Sequence, residues 1–278
     1  MTDTPQRLEV LKPESQWKRL AHAPAHATLR EALLCCESFD TWPTLGDLDA
    51  LFDARGVTNA SGTTLSCEPQ APKSKHRRTR PGARARDSLY DARIDGTGRL
   101  PTRSANYHDF FNAMVWLTFP GAKAAISARQ HAIWRRELGP SFEQLPSRRT
   151  REQDALAMLD EGGLLVATPR PLEAQARAAC EAGDEALLCS LGKVRTFVFG
   201  HALHEHMVSS SALIRANPIL VVVDTDTCDE VSDVDLALAR DVRSASHFLA
   251  PSPGAGFFIG QAKRAPMEAL VAIESLAR

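Results

Sequence analysis

The chain has 278 residues, 44% hydrophobic, 24% charged and 6% aromatic, a balance that excludes a disordered, collagen-like or coiled-coil protein. With 33 basic and 34 acidic residues the net charge is −1, which argues against a globally basic nucleic-acid binder. Six scattered cysteines (Cys35, Cys36, Cys67, Cys180, Cys189, Cys228) without a CxxC pair suit a reducing compartment.

The start of the chain is polar and lacks an apolar h-region, and no apolar run nears the roughly 20 residues of a membrane helix. A cytoplasmic protein with no membrane partner is therefore expected. His26 to Cys36 and Thr44 to Gly56 have helical spacing, the second stopping at Gly56, with Trp42 placed to pack back as a hydrophobic staple. Residues 1–56 thus read as an N-terminal helical extension. Gly, Pro, Ser and Thr break the pattern from 57 to 105, an irregular segment. Within it, residues 73 to 86 carry seven Lys or Arg and no acid, leaving the rest of the chain at −8. Such a run reads first as a solvated loop, and otherwise as a contact to nucleic acid or another partner.

The segment 106–278 reads as an α+β core. Asn106 to Phe119 is apolar on nearly every side and predicts a buried helix, broken by Pro120 and Gly121 before an amphipathic helix from Ala122 to Leu138. Asp154 to Thr168 has Asp160-Glu161-Gly162-Gly163 between two apolar runs, which favours a β-hairpin over a helix through Leu159 followed by a strand. A helix from Pro171 to Ala182, a strand from Val194 to Phe199, a helix from His201 to Val208 and a strand from Ile219 to Val223 follow. A helix at Val231 to Arg240, a loop at Pro251 to Gly256 and a closing helix from Ala265 to Ala277 complete the chain. The absence of a regular βαβ rhythm gives an α+β, mainly helical single domain with a small sheet.

Three clusters could carry chemistry. His108 and Asn112 share a face of the apolar helix, where unpaired polar groups cost about 1–3 kcal/mol, so they demand partners. Asn106 and Asp109 would form a capping-box-like pair at its start. His201 and Glu205 have i,i+4 spacing, compatible with metal ligation or a histidine–carboxylate pair, beside His204 and His206. Arg151, Asp154, Asp160 and Glu161 form the third cluster, readable as an ion pair and a turn or as site residues. GxSxG and P-loop motifs are absent, so serine or cysteine nucleophiles are not supported.

The run from Thr97 to Ile126 resembles the signature of the DUF3025 family. The matching positions are Gly98, Pro101 to Arg103, Asn106, His108, Asp109, Phe111 to Ala113, Val115 to Leu117, Phe119, Pro120 and Lys123. The resemblance continues at Tyr90, Ile94, Arg151, Asp154 to Leu156, Asp160, Glu161, Gly163, Phe199 to Leu203 and Glu205, spanning about residues 85 to 210. It implies a bacterial protein and carries no function with it. Against the family pattern, residues 73 to 86 read as an insertion, and the family's C-terminal aromatic stretches are at best replaced by Gly256-Phe257-Phe258.

The resemblance groups the three clusters into one polar pocket. The function expected is hydrolysis of an anionic or phosphorylated small molecule. His108, Asp109 and Asn112 would be catalytic, Arg103, Arg151 and Asp154 would bind the ligand, and Asp160, Glu161, His201 and Glu205 would hold a divalent metal as cofactor. The alternative is a non-enzymatic binding or regulatory protein in which these residues are structural and the basic loop contacts nucleic acid or a partner.

Overall fold

A computed structural model of the chain describes residues 15–70, 89–138, 149–209, 215–244 and 265–266. Local signals set most helix ends. Ser15 caps α1 (Gln16–His22), accepting a hydrogen bond from the Lys18 amide. A 3-10 turn at Pro24–Leu29 leads into α2 (Arg30–Leu34), so the single helix expected from His26 begins as a tighter turn. Thr44 and Asp47 form a reciprocal capping box at the start of α3 (Leu45–Arg55), and Gly56 closes it with a left-handed φ of 63°. Trp42 packs edge-on against Trp17, Tyr107 and Phe110, tying this region to the central helix.

The segment read as irregular contains a small βαβ unit. Strand β1 (Ser66–Pro69) and strand β2 (Arg99–Thr102) pair in parallel, joined through α4 (Tyr90–Thr97). The basic run 73–86 lies outside the described residues. Helix α5 (Tyr107–Thr118) is buried without a break from Asp109 to Leu117, as its all-round apolar character requires. Helix α6 (Pro120–Leu138) follows directly, with Pro120 at its first position.

Residues 151–169 correct the hairpin reading. Thr150 and Gln153 make a second capping box, α7 runs from Arg151 to Gly162, and β3 (Gly163–Pro169) starts at once. Helix capping and a buried Leu156–Leu159 face outweigh the turn propensity of the paired glycines. Gly163 is where a side chain would collide, since a Cβ would sit 2.5 Å from the Leu159 carbonyl oxygen. Helices α8 (Glu173–Ala182) and α9 (Glu185–Ser190), strand β4 (Arg195–Val198), helix α10 (His201–Ser209), strand β5 (Arg215–Val223) and helix α11 (Val231–Arg243) follow. Ala265–Pro266 form β6, an extended pair, where the sequence predicts the start of a closing helix; the rest of that helix and the 251–256 loop lie outside the described residues.

The larger sheet has the order β4-β3-β5-β6, with β3 antiparallel to β4 and parallel to β5. Period-two alternation splits its residues between two cores. Leu165, Ala167, Ile219 and Val221 join the main core with α5, α6 and α11, while Val166 and Leu220 pack on Ala176 and Ala179 of α8. Trp17, Leu29, Leu33 and Phe52 belong to that same main core, so the N-terminal helices are integral to it. The architecture is mainly helical α+β.

Candidate functional site

Helix α5 is buried, so water cannot satisfy its polar residues and their partners come from the protein itself. Asn106 accepts from the Asp109 amide at 3.1 Å, as the capping expectation requires. The reciprocal bond is replaced: the Asp109 carboxylate turns to Arg103, which donates through its backbone amide at 2.7 Å, its Nε at 2.9 Å and its Nη2 at 2.7 Å. Ala105 holds a left-handed φ of 50° between them, an unusual conformation for a residue with a Cβ that folds the end of β2 back over α5.

From this pair a hydrogen-bonded chain crosses the site. His108 Nδ1 meets Asp109 Oδ1 at 3.0 Å, and His108 Nε2 meets His201 Nε2 at 3.2 Å, the two rings perpendicular. His201 Nδ1 faces Asp160 Oδ2 at 3.8 Å, beyond hydrogen-bond length. Lys123 donates to Asp160 and, at 2.7 Å, to Asn112, whose Nδ2 donates to the Tyr90 hydroxyl at 2.7 Å. Lys123 also lies 5.6 Å from the centre of the Trp116 ring. Two hydrogen-bonded runs of four side chains, Arg103–Asp109–His108–His201 and Asp160–Lys123–Asn112–Tyr90, thus face each other across the His201–Asp160 gap.

Electrostatics sort their protonation states. Burial works to raise the Asp109 pKa, but the hydrogen bonds from Arg103 and His108 outweigh it and hold the carboxyl well below the usual range. Burial opposes the Asp160 charge in the same way, and Lys123 and His201 overcome it. The hydrogen bond to Asp109 raises the His108 pKa. Burial lowers that of His201 to about 4. Asp91 is pushed up to about 7 by burial and by the Asp160 charge. Tyr90 is raised well above 10 by burial first and Asp160 second.

The chain forms the wall of a cavity of about 300 Å³, at the small end of ligand sites. It opens beyond the carboxyl end of the β1–β2 pair, and His108 keeps 37% of its side-chain surface accessible. Of the expected site residues, Arg103, His108, Asp109, Asn112, Asp160, Glu161 and His201 line this cavity. Glu205 stands close enough for its charge to act on Arg103 and His108. Arg151 and Asp154 are exposed on the first turn of α7 and do not line it; Arg149 does. Two of the residues expected to hold a metal have other partners: the Lys123 ammonium sits on Asp160, and His201 presents Nε2 to His108. Among the described residues no three His, Cys, Asp or Glu side chains converge in a way that could hold a metal ion.

Sequence reasoning on chemistry alone missed Lys123, Tyr90, Asp91 and Arg149. Lys123 carried a signal, being a lone cation among Ala122, Ala124, Ala125 and Ile126 on a buried helix start. Tyr90 and Asp91 open a helix whose existence the polar composition of its surroundings concealed.

The family profile described as "Protein of unknown function (DUF3025)" matches residues 80–255, more than half of the chain. The chain belongs to DUF3025. The match runs past the motif blocks ending near residue 210 and takes in β5 and α11. No curated protein and no solved structure matches the chain.

Proposed function

We propose that this DUF3025 protein is a hydrolase acting on a small anionic molecule, phosphorylated compounds included, with His108 as its general acid and base. The observation that carries this reading is the Asp109–His108–His201 chain ending at an open cavity wall. A carboxylate with three hydrogen bonds from Arg103 fixes one ring nitrogen of His108, the other meets His201, and the side chain keeps 37% of its surface accessible, so a guest entering the cavity would take the place of His201 at Nε2. The charged imidazole and the Arg149 guanidinium would attract an anion into the pocket. His108 would give its proton to the leaving oxygen as water adds to the phosphoryl or acyl centre, and take a proton back from that water. The cavity's size limits the substrate to a small molecule.

A second reading, as a non-enzymatic binding or regulatory protein, draws on the mutual neutralisation of Arg103 with Asp109 and of Lys123 with Asp160. A cytoplasmic setting fits either reading, since all six cysteines are free thiols.

The test is a panel of phosphomonoesters, phosphodiesters and small carboxylate esters, followed across acid to alkaline pH. Turnover by the native protein that drops by at least about 100-fold in His108→Ala at an unchanged melting temperature supports the hydrolase. No turnover of any panel member, with no binding of inorganic phosphate by calorimetry, overturns it.

A further inference from the structure

The His108–His201 contact allows only one proton between its two Nε2 atoms. At 3.2 Å, two N–H groups would clash and two lone pairs would repel, so one ring donates and the other accepts. The neighbours decide which. Asp109, with Arg103 bound to both oxygens, can only accept, so His108 Nδ1 carries a proton. On the far side, His201 is 4% exposed, and its Nδ1 makes no hydrogen bond of normal geometry but faces Asp160, whose carboxylate lies at 3.8 Å and whose backbone also favours a proton on the ring. A bare Nδ1 lone pair aimed at that carboxylate is the unfavourable orientation, and an N–H there is the favourable one.

We infer that His201 is a positioning residue: a neutral imidazole, protonated at Nδ1 by the demand of Asp160, whose Nε2 accepts a hydrogen bond from a doubly protonated His108. This rests on the reading of His108 as the acid and base of the site and gives that group its resting state, a charged acid whose two protons are held by Asp109 and His201. The charged groups facing the two rings are consistent with it. Arg103 beyond β2, Asp109 on α5, Lys123 on α6, Asp160 and Glu161 on α7 and Glu205 on α10 surround the pair. The carboxylates at the two ends, Asp109 and Asp160, are each bound by their own cation, which fixes the direction of every bond between them.

Long-range proton–nitrogen correlation spectra of the histidine rings in the full-length protein at neutral pH test this directly. The expected spectrum shows His201 protonated at Nδ1 with an acceptor Nε2, and His108 protonated at both nitrogens. A His201 protonated at Nε2 beside a neutral His108 overturns the inference without any variant. Two substitutions add a second readout. His201→Phe fills the space without accepting, and the His108 titration midpoint should fall by about one pH unit; His201→Gln, which accepts through Oε1, should restore it. Equal midpoints in the two variants would reduce His201 to packing and overturn the inference. The two proposals fail separately: these tautomers without turnover refute the hydrolase alone, and turnover with the reversed tautomers refutes the positioning role alone.

Discussion

His26 and His204 make a second imidazole pair, and it predicts how the fold responds to acid. Their Nδ1 atoms are 2.9 Å apart, His204 Nε2 donates to the Val198 carbonyl at 3.1 Å, and both rings stack on Phe111. Exposure is 2% for His26 and nil for His204. Burial lowers His26 to about 4 and, with the neighbouring His26 adding to it, His204 to about 3, against 6.5 when unfolded. Both rings are neutral in the folded protein, whereas the unfolded chain takes up protons below pH 6.5. Stability is therefore complete above that pH and lost as pH falls towards the folded values. Falling from 6.5 to about pH 5 costs about 2 kcal/mol per histidine, at about 1.4 kcal/mol per pH unit. His204→Gln keeps an amide able to donate to Val198 and removes the titration. Its lost packing weighs equally at each pH, and His26 and Asp91 remain in both proteins, so a double difference isolates His204. Urea unfolding at about pH 7.5 and about pH 5 should show the native protein losing about 2 kcal/mol more than the variant. Equal losses in the two proteins would refute the reasoning.

Gly200→Ala should cost about 3 kcal/mol, because the new Cβ would lie 2.6 Å from the Glu161 carbonyl oxygen and 2.7 Å from Gly162 backbone atoms that cannot move aside. A thermal midpoint equal to that of the native protein would contradict that geometry. Asn112→Leu keeps the helix apolar and the volume similar but deprives Lys123 of an acceptor and the Tyr90 hydroxyl of a donor, an expected loss of about 2–3 kcal/mol by urea unfolding. A variant as stable as the native protein would show that these bonds contribute nothing net.

Much of this fold was legible because its strongest signals are local. The cap at Asn106, the stop at Gly56, and the apolar wrap of α5 each act within a turn or two of the chain. Three features were not legible for the same reason. The paired Gly162 and Gly163 favour a turn locally, and packing of Leu156 and Leu159 into the main core, added to the Thr150–Gln153 capping box, makes residues 151–162 helical. The parallel pairing of β1 with β2 depends on a register 33 residues apart, Ser66 with Arg99, which no short pattern encodes. Trp42 was readable as a staple on its own helix, but its ring partners come from α1 and α5. The candidate site divides similarly. His108, Asn112, Asp160 and His201 were found as polar residues in apolar or turn contexts, and the structure brings them together. The metal assignment rested on ligand-type residues and spacing alone, and spacing says nothing of a lysine arriving from another helix to occupy Asp160.

A buried polar network can serve the fold alone, and in that case it should close on itself, every donor and acceptor taken, because each orphan costs free energy. Much of this one is closed. Arg103 is spent on Asp109, Lys123 on Asp160 and Asn112, and Asn112 on Tyr90. Two buried atoms beside it stay unpaired, His201 Nδ1, which stops short of Asp160, and Trp116 Nε1, while His108, alone among the residues of the imidazole–carboxylate chain, leaves more than a third of its side chain reachable. Of these groups His108 is the one that both lines the cavity and is of a type that exchanges a proton near neutral pH. The closed bonds are what a structural role requires, and the accessible His108 is what the proposed role as acid and base requires.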